Sequence, residues 1–271
     1  MDSVTTTKTK PVASSKGASK KNGSGRDAKP DVSVLPPLYH QPAVLHSETH
    51  AGKGLRRSID YRFAAGVNAV PVHVGEFLPA SRHYPIVFAE AAVAMPLVVL
   101  GFRDRQNAFV DGHGRWKDGL YLPEYVRRYP FIAAEKPDGT KVLAIDEVCD
   151  RLAETGDSDV DPFFEEGGDA SDLSKSALAL CGRWQDGYRH TEALADALVE
   201  MNVLNARKAS IRLPDGRQHE LGGFRVVDEK ALHELPEGVV ADWHRKGWLG
   251  LIHLHLASWQ NWRGLLEAEN Q

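Results

Sequence analysis

Residues 85–102 read PIVFAEAAVAMPLVVLGF, the most apolar window of the chain, and its interpretation decides the fold. Its length approaches the roughly 20 residues that a membrane-spanning helix needs. Glu90 and Pro96 stand well inside it, where a charge and a missing amide are costly in hydrocarbon. The window therefore divides into two apolar runs, Pro85–Ala89 and Pro96–Phe102, which read as buried strands joined by a turn. A second apolar window, Trp248–Trp259, carries His253 and His255 and is too short to span. No transmembrane segment is expected.

On the upstream side, Pro36, Pro37 and Pro42 make an extended lead-in that Tyr39 and Leu45 anchor. His46–Arg56 is polar and compatible with a helix, and Arg62–Val74 reads as extended. Downstream, Asp111-Gly112-His113-Gly114 is a turn signal, because its glycines accept positive φ. Pro123 is placed to start a short helix through about Arg128, which Pro130 ends. Phe131–Glu135 and Lys141–Ile145 flank Pro137-Asp138-Gly139 as a hairpin, and Ala209–Leu213 and Gln218–Leu221 flank Pro214-Asp215-Gly216 likewise. Phe224–Val227 reads as a further strand. Asp150–Asp172 reads as an acidic surface loop pinned by Phe163 and Phe164.

From Asp172 to Leu204 apolar residues recur at three- and four-residue steps, among them Leu173, Ala177, Leu180, Trp184, Tyr188, Leu194 and Leu198. Ser171 is the natural N-cap, while Gly182 and Gly187 lower the helix propensity. Short helices follow from Asp228 to Leu235 and from Pro236 to Gly247, then a last one from Trp248 to Leu266. Strands dominate the first half and helices the second. The expectation is an α+β fold: a mixed or antiparallel sheet with hairpins, a long amphipathic helix, and C-terminal helices packed on it. Residues 35–268 are expected to form a single domain.

Composition is ordinary for a folded soluble protein: 271 residues, 42% hydrophobic, 26% charged, net charge −4. The charge is uneven. Before residue 32, seven basic side chains face three acidic ones, a net +4 that leaves −8 for the remainder. That segment, residues 1–34, is poor in apolar residues and is expected to be a disordered basic tail. It lacks the apolar stretch of a Sec signal, which points to the cytoplasm or to export by another route. The basic tail offers a contact to nucleic acid or acidic lipid, but its composition favours a solvated linker, and with the remainder acidic nucleic acid is disfavoured as a partner.

Tests for familiar chemistry come back negative. Cys149 and Cys181 are too few for a disulfide framework or a four-cysteine zinc site. His253 and His255 point apart on a helix, and His73 and Glu76 point apart if their segment is a strand. His46 and His50 share a face if their segment is helical, but they lack a third ligand, and no HExxH occurs. Asp157, Asp159 and Asp161 alternate as calcium ligands do, yet Pro162 and Gly168 stand where that loop needs glycine and glutamate. Phosphate-binding glycine loops and nucleophile elbows are absent. No metal and no cofactor is expected, and no catalytic residue is assigned. In Tyr125–Phe131 the cations suit either an anion or nucleic-acid contact, or pairing with an internal carboxylate; the net acidity favours the second.

Several short motifs occur in a fixed order. They include Glu76-Phe77, Tyr84–Phe88, Asn107–Val110, Gly114-Arg115-Trp116, Tyr121-Leu122-Pro123 and Arg127-Arg128-Tyr129-Pro130-Phe131. Asp146-Glu147, Phe163-Phe164, Val227-Asp228-Glu229 and His255–Ser258 continue the series. Over about Leu38–Leu266 this pattern resembles the bacterial SapC-like family, associated by name with surface layers. The resemblance implies a soluble protein acting by binding, with other envelope or surface-layer proteins as partners. It carries over no catalytic residues. A peptide-transporter permease shares the name, and the missing membrane helices set that reading aside. The alternative is a cytoplasmic enzyme or accessory protein with a ligand pocket near Glu76, Tyr84, Asn107, Trp116 and Arg128, polar and aromatic residues that flank strand ends.

Overall fold

The computed structural model describes residues 5–8, 36–135, 140–212 and 218–269. Its strands are β1 (Thr5–Lys8), β2 (Pro42–Val44), β3 (Lys53–Arg56), β4 (Ala69–Pro71), β5 (Ile86–Ala89), β6 (Pro96–Val99), β7 (Phe131–Glu135), β8 (Lys141–Asp146), β9 (Leu152–Glu154), β10 (Val160–Pro162), β11 (Leu204–Arg212) and β12 (Gln218–Val227). The helices are α1 (Phe77–Ala80), α2 (Glu124–Arg127), α3 (Asp172–Glu200), α4 (Glu229–His233), α5 (Glu237–Arg245), α6 (Trp248–Ala257) and α7 (Asn261–Glu269). The fold is α+β, with antiparallel pairing in each of three sheets.

The apolar window at 85–102 supplies two inner strands of the largest sheet, whose order is β1-β11-β12-β5-β6-β4. β5 and β6 pair as Ile86↔Val98, Val87↔Leu97 and Phe88↔Pro96, and Pro96 stands at the first strand position, where its missing N–H is tolerated. Both expected hairpins are present as β7–β8 and β11–β12. Their Pro-Asp-Gly turns lie outside the described residues. β12 absorbs Phe224–Val227 rather than leaving it as a separate strand, and a bulge between Arg207 and Ala209 absorbs the register shift. Of the basic tail only Thr5–Lys8 is described, as an edge strand on β11 that the sequence did not announce. The rest of that expectation lies outside the described residues.

α3 starts at Ser171, whose hydroxyl accepts from Ser174 N, and buries Ala177, Cys181, Trp184, Leu194 and Leu198 along one face. That face packs on β7 and β8 and on the 3-10 turn Val74–Glu76. Truncating a fully buried residue such as Leu198 to alanine costs about 2–5 kcal/mol in this kind of setting. The helix ends four residues earlier than Leu204, which instead opens β11.

Four expectations are corrected, the first being Asp150–Asp172, which holds the strands β9 and β10 rather than running as a loop throughout. His46–Arg56 is a turn followed by β3, the middle strand of β10-β3-β9. β3 lies so close to β10 that a Cβ on Gly54 would stand 2.2 Å from Asp161 O, and this long-range pairing overrides local helix preference. Arg62–Val74 holds a 3-10 turn at Arg62–Ala64, the short β4 and the start of a second 3-10 turn. The last helix is broken at Ser258–Gln260 into α6 and α7. There the Ser258 hydroxyl donates to His255 O and accepts from Ile86 N, so a side chain competes with helical backbone pairing.

His255 closes the gap between β5 and β12, which pair only at Ala89 and Phe88 with Phe224 and Arg225. Fully buried on α6, it donates from Nδ1 to Ile86 O at 2.9 Å and accepts Val227 N at Nε2 at 3.2 Å. Burial depresses its pKa to about 4, so the ring is neutral. The exposed His253 turns the other way, as its two-residue spacing requires.

Candidate functional site

The turn His73–Glu76 is stabilised by reciprocal capping: Gly75 N donates to His73 Nδ1 at 3.1 Å and His73 N donates to Glu76 Oε2 at 3.1 Å. His73 and Glu76 therefore face each other, not opposite sides of a strand. The buried Glu76 also accepts at Oε1 from Glu124 N at 2.7 Å and from the Tyr121 hydroxyl at 3.0 Å. Its burial raises the carboxyl pKa, and these bonds oppose the rise. His73 Nε2 lies 3.1 Å from Glu124 Oε2 and 3.6 Å from Glu76 Oε2. Burial pulls the imidazole pKa down, but the Glu124 bond and the two carboxylate charges outweigh it and leave it raised. The same His73 bond holds Glu124 below the usual carboxylate range.

From this cluster a chain of hydrogen bonds crosses the core. The Tyr84 hydroxyl donates to Tyr121 O, and Trp116 Nε1 donates to the Tyr84 hydroxyl at 3.1 Å. The Phe109 ring meets Tyr84 edge-on, with centroids 5.1 Å apart. Asn107 donates from Nδ2 to Ala64 O at 3.1 Å and accepts Phe109 N at 2.9 Å, which fixes the start of the segment. Asp111 accepts from His113 N, Arg115 N and the Arg115 guanidinium, closing the expected Asp-Gly turn. On the outer side of the segment lies a groove of about 680 Å³, lined by Asn107, Phe109, Asp111, Arg115, Trp116 and Glu269 among others. Glu269 reaches it from the end of α7, accepting Phe102 N at 2.7 Å.

The five sequence candidates thus fall into three groups. Asn107 and Trp116 line the groove. Tyr84 and Glu76 stand behind it on the hydrogen-bond chain. Arg128 is buried elsewhere, among Tyr39, Tyr125 and Trp184. A family model described as SapC matches residues 45–265.

The chain belongs to the SapC family.

No curated protein and no solved structure matches it. The motifs that carried the SapC resemblance now have physical roles. Glu76, Tyr84, Asn107, Trp116 and Tyr121 build the wall of the groove and its support. Asp146, fully buried, accepts from His40 N, Gln41 N and the Tyr129 hydroxyl, which fastens the lead-in segment to β8. Phe163 sits in the core beside Phe131, and Asp228 caps α4 by accepting Lys230 N and Ala231 N.

Sequence reading missed His73, Glu124 and Glu269 as parts of this region. Tyr121 and Glu124 flank the quoted Leu122-Pro123, so proximity to a motif was a usable signal. Glu269 gave none, since its neighbours on the groove lie some 150 positions away in the chain. The acidic triplet of the loop is held by arginines: Arg56 meets Asp157 and Asp159 at 2.8 and 3.0 Å, and Arg57 meets Asp161 at 2.8 Å. Among the described residues no group of three His, Cys, Asp or Glu side chains could hold a metal ion. Among them, too, no helix is long and apolar enough to cross a membrane.

Proposed function

We propose that this SapC-family chain acts by binding, through the groove beside Asn107 and Trp116, in a surface-layer or cell-envelope setting. The observation that carries the reading is the fate of the candidate polar groups. Glu76, Tyr84, Asn107 and Trp116 direct their polar atoms to internal partners, so they shape a surface rather than present a reactive atom to it. A preformed concave surface with fixed walls is what a recognition site requires. The rim pairs Asp111 with Arg115, which supplies both charge signs to a partner. Residues 35–268 act as one domain in this reading, and the envelope setting rests on the family resemblance.

Fractionation of the native host tests the setting, and cosedimentation of the purified protein with isolated envelopes tests the binding. The protein is expected in the envelope fraction, with binding weakened by Arg115→Glu. An exclusively cytosolic protein that ignores isolated envelopes would overturn the proposal.

A further inference from the structure

Arg128 follows the single turn of α2 and is only 3% exposed. Its surroundings are aromatic rather than acidic. The guanidinium carbon stands 3.9 Å from the centre of a Trp184 ring, 4.5 Å from Tyr125 and 5.7 Å from Tyr39. The sequence favoured pairing of Arg127 or Arg128 with an internal carboxylate, and Arg127 does meet Glu124 Oε1 at 3.2 Å. Among the described residues no carboxylate lies within ion-pair distance of Arg128. Among the described residues no acceptor reaches two buried donors in the box, Arg128 Nε and Trp184 Nε1.

The tyrosines do not supply a counter-charge. Tyr39 and Tyr125 each donate their hydroxyl proton to a backbone carbonyl at 2.7 Å, of Phe131 and Pro37 respectively. Burial keeps both protonated against the pull of Arg128, so they offer it neutral oxygens alone. Ring faces offset part of the desolvation of a buried cation, but such a charge is ordinarily paired as well. A guanidinium stacked on rings keeps its N–H edge directed away from their faces, toward an in-plane acceptor.

We propose that the aromatic box around Arg128 is a binding site for a small anion, with Arg128 as its charge partner and the Trp184 indole as a second donor. The anion is a halide or the carboxylate of a small ligand. The site is separate from the groove, which Arg128 does not line.

Thermal unfolding of the full chain in sodium HEPES, titrated with sodium chloride or sodium acetate at matched ionic strength, tests this. Wild type is expected to gain Tm saturably, and the more effective salt identifies halide or carboxylate as the source. Arg128→Met is expected to abolish the gain, and Trp184→Phe to weaken the apparent affinity by about tenfold or more. A wild-type Tm indifferent to both salts overturns the proposal, as does an equal gain in folded Arg128→Met. Should Arg128→Met fail to fold, Trp184→Phe decides, and an unchanged saturation curve overturns the site.

Discussion

The imidazole of His73 lies against the bare backbone of Gly187 in the middle of α3, so close that a Cβ on Gly187 would stand 2.6 Å from the ring. The helix accepts a glycine at its centre, at a cost of about 1 kcal/mol in propensity, and the ring gains its seat between Glu76 and Glu124. Gly187→Ala, which ordinarily stabilises a helix, is therefore predicted to destabilise this protein by about 1–3 kcal/mol in urea unfolding. In a His73→Ala background the same substitution should turn neutral or stabilising, because the clash is gone. Stabilisation of the wild type by Gly187→Ala would contradict the packing.

His73 and His255 make opposite contributions to stability as pH changes. The raised pKa of His73 means that its contribution is fully present below the unfolded value of 6.5 and fades as pH rises through the folded value. The stability difference between wild type and His73→Gln should shrink as pH climbs above that point. A difference that grows instead would reverse the assignment.

For His255 the folded pKa, about 4, lies below the unfolded 6.5, so its contribution is complete above 6.5 and is lost as pH falls toward 4. Protonation forces a hydrogen onto Nε2, where Val227 N donates. A loss on the order of 3 kcal/mol is expected across that window, since each pKa unit corresponds to about 1.4 kcal/mol. In His255→Asn the corresponding acid arm should flatten, as read by unfolding free energies measured across the same pH range.

The link between Tyr84 and Trp116 predicts non-additivity. Tyr84→Phe strands the Trp116 indole N–H and Tyr121 O in the core, at a cost of about 1–3 kcal/mol. With Trp116→Phe already present, the same change should cost measurably less. Strict additivity in the double-mutant cycle would place the two side chains on independent sites.

What the sequence made legible was local. Glu90 and Pro96 divide the apolar window into β5 and β6, and Ser171 with its three- and four-residue period announces α3. Pairings across long separations were not legible. β3 joins strands about a hundred residues away through Lys53–Arg56, a segment without alternation, so no local pattern marked it. Val70 and Val72 suggested an extended run up to Val74, but the reciprocal bonding of His73 and Glu76 curls the chain there. Within the site, Asn107 and Trp116 were found because they flank strand ends. Glu124 was signalled by the adjoining Leu122-Pro123, while Glu269 depends on tertiary approach alone.

Recognition of an envelope partner by the surface beside Asn107 and Trp116 is the proposal on which the function rests. Its most direct test is cosedimentation of the purified chain with envelopes from the native host, comparing wild type with Arg115→Glu at equal Tm. Saturable binding by wild type and a loss of about tenfold or more in the variant are expected. Equal binding by both proteins, or no binding by either, would contradict it.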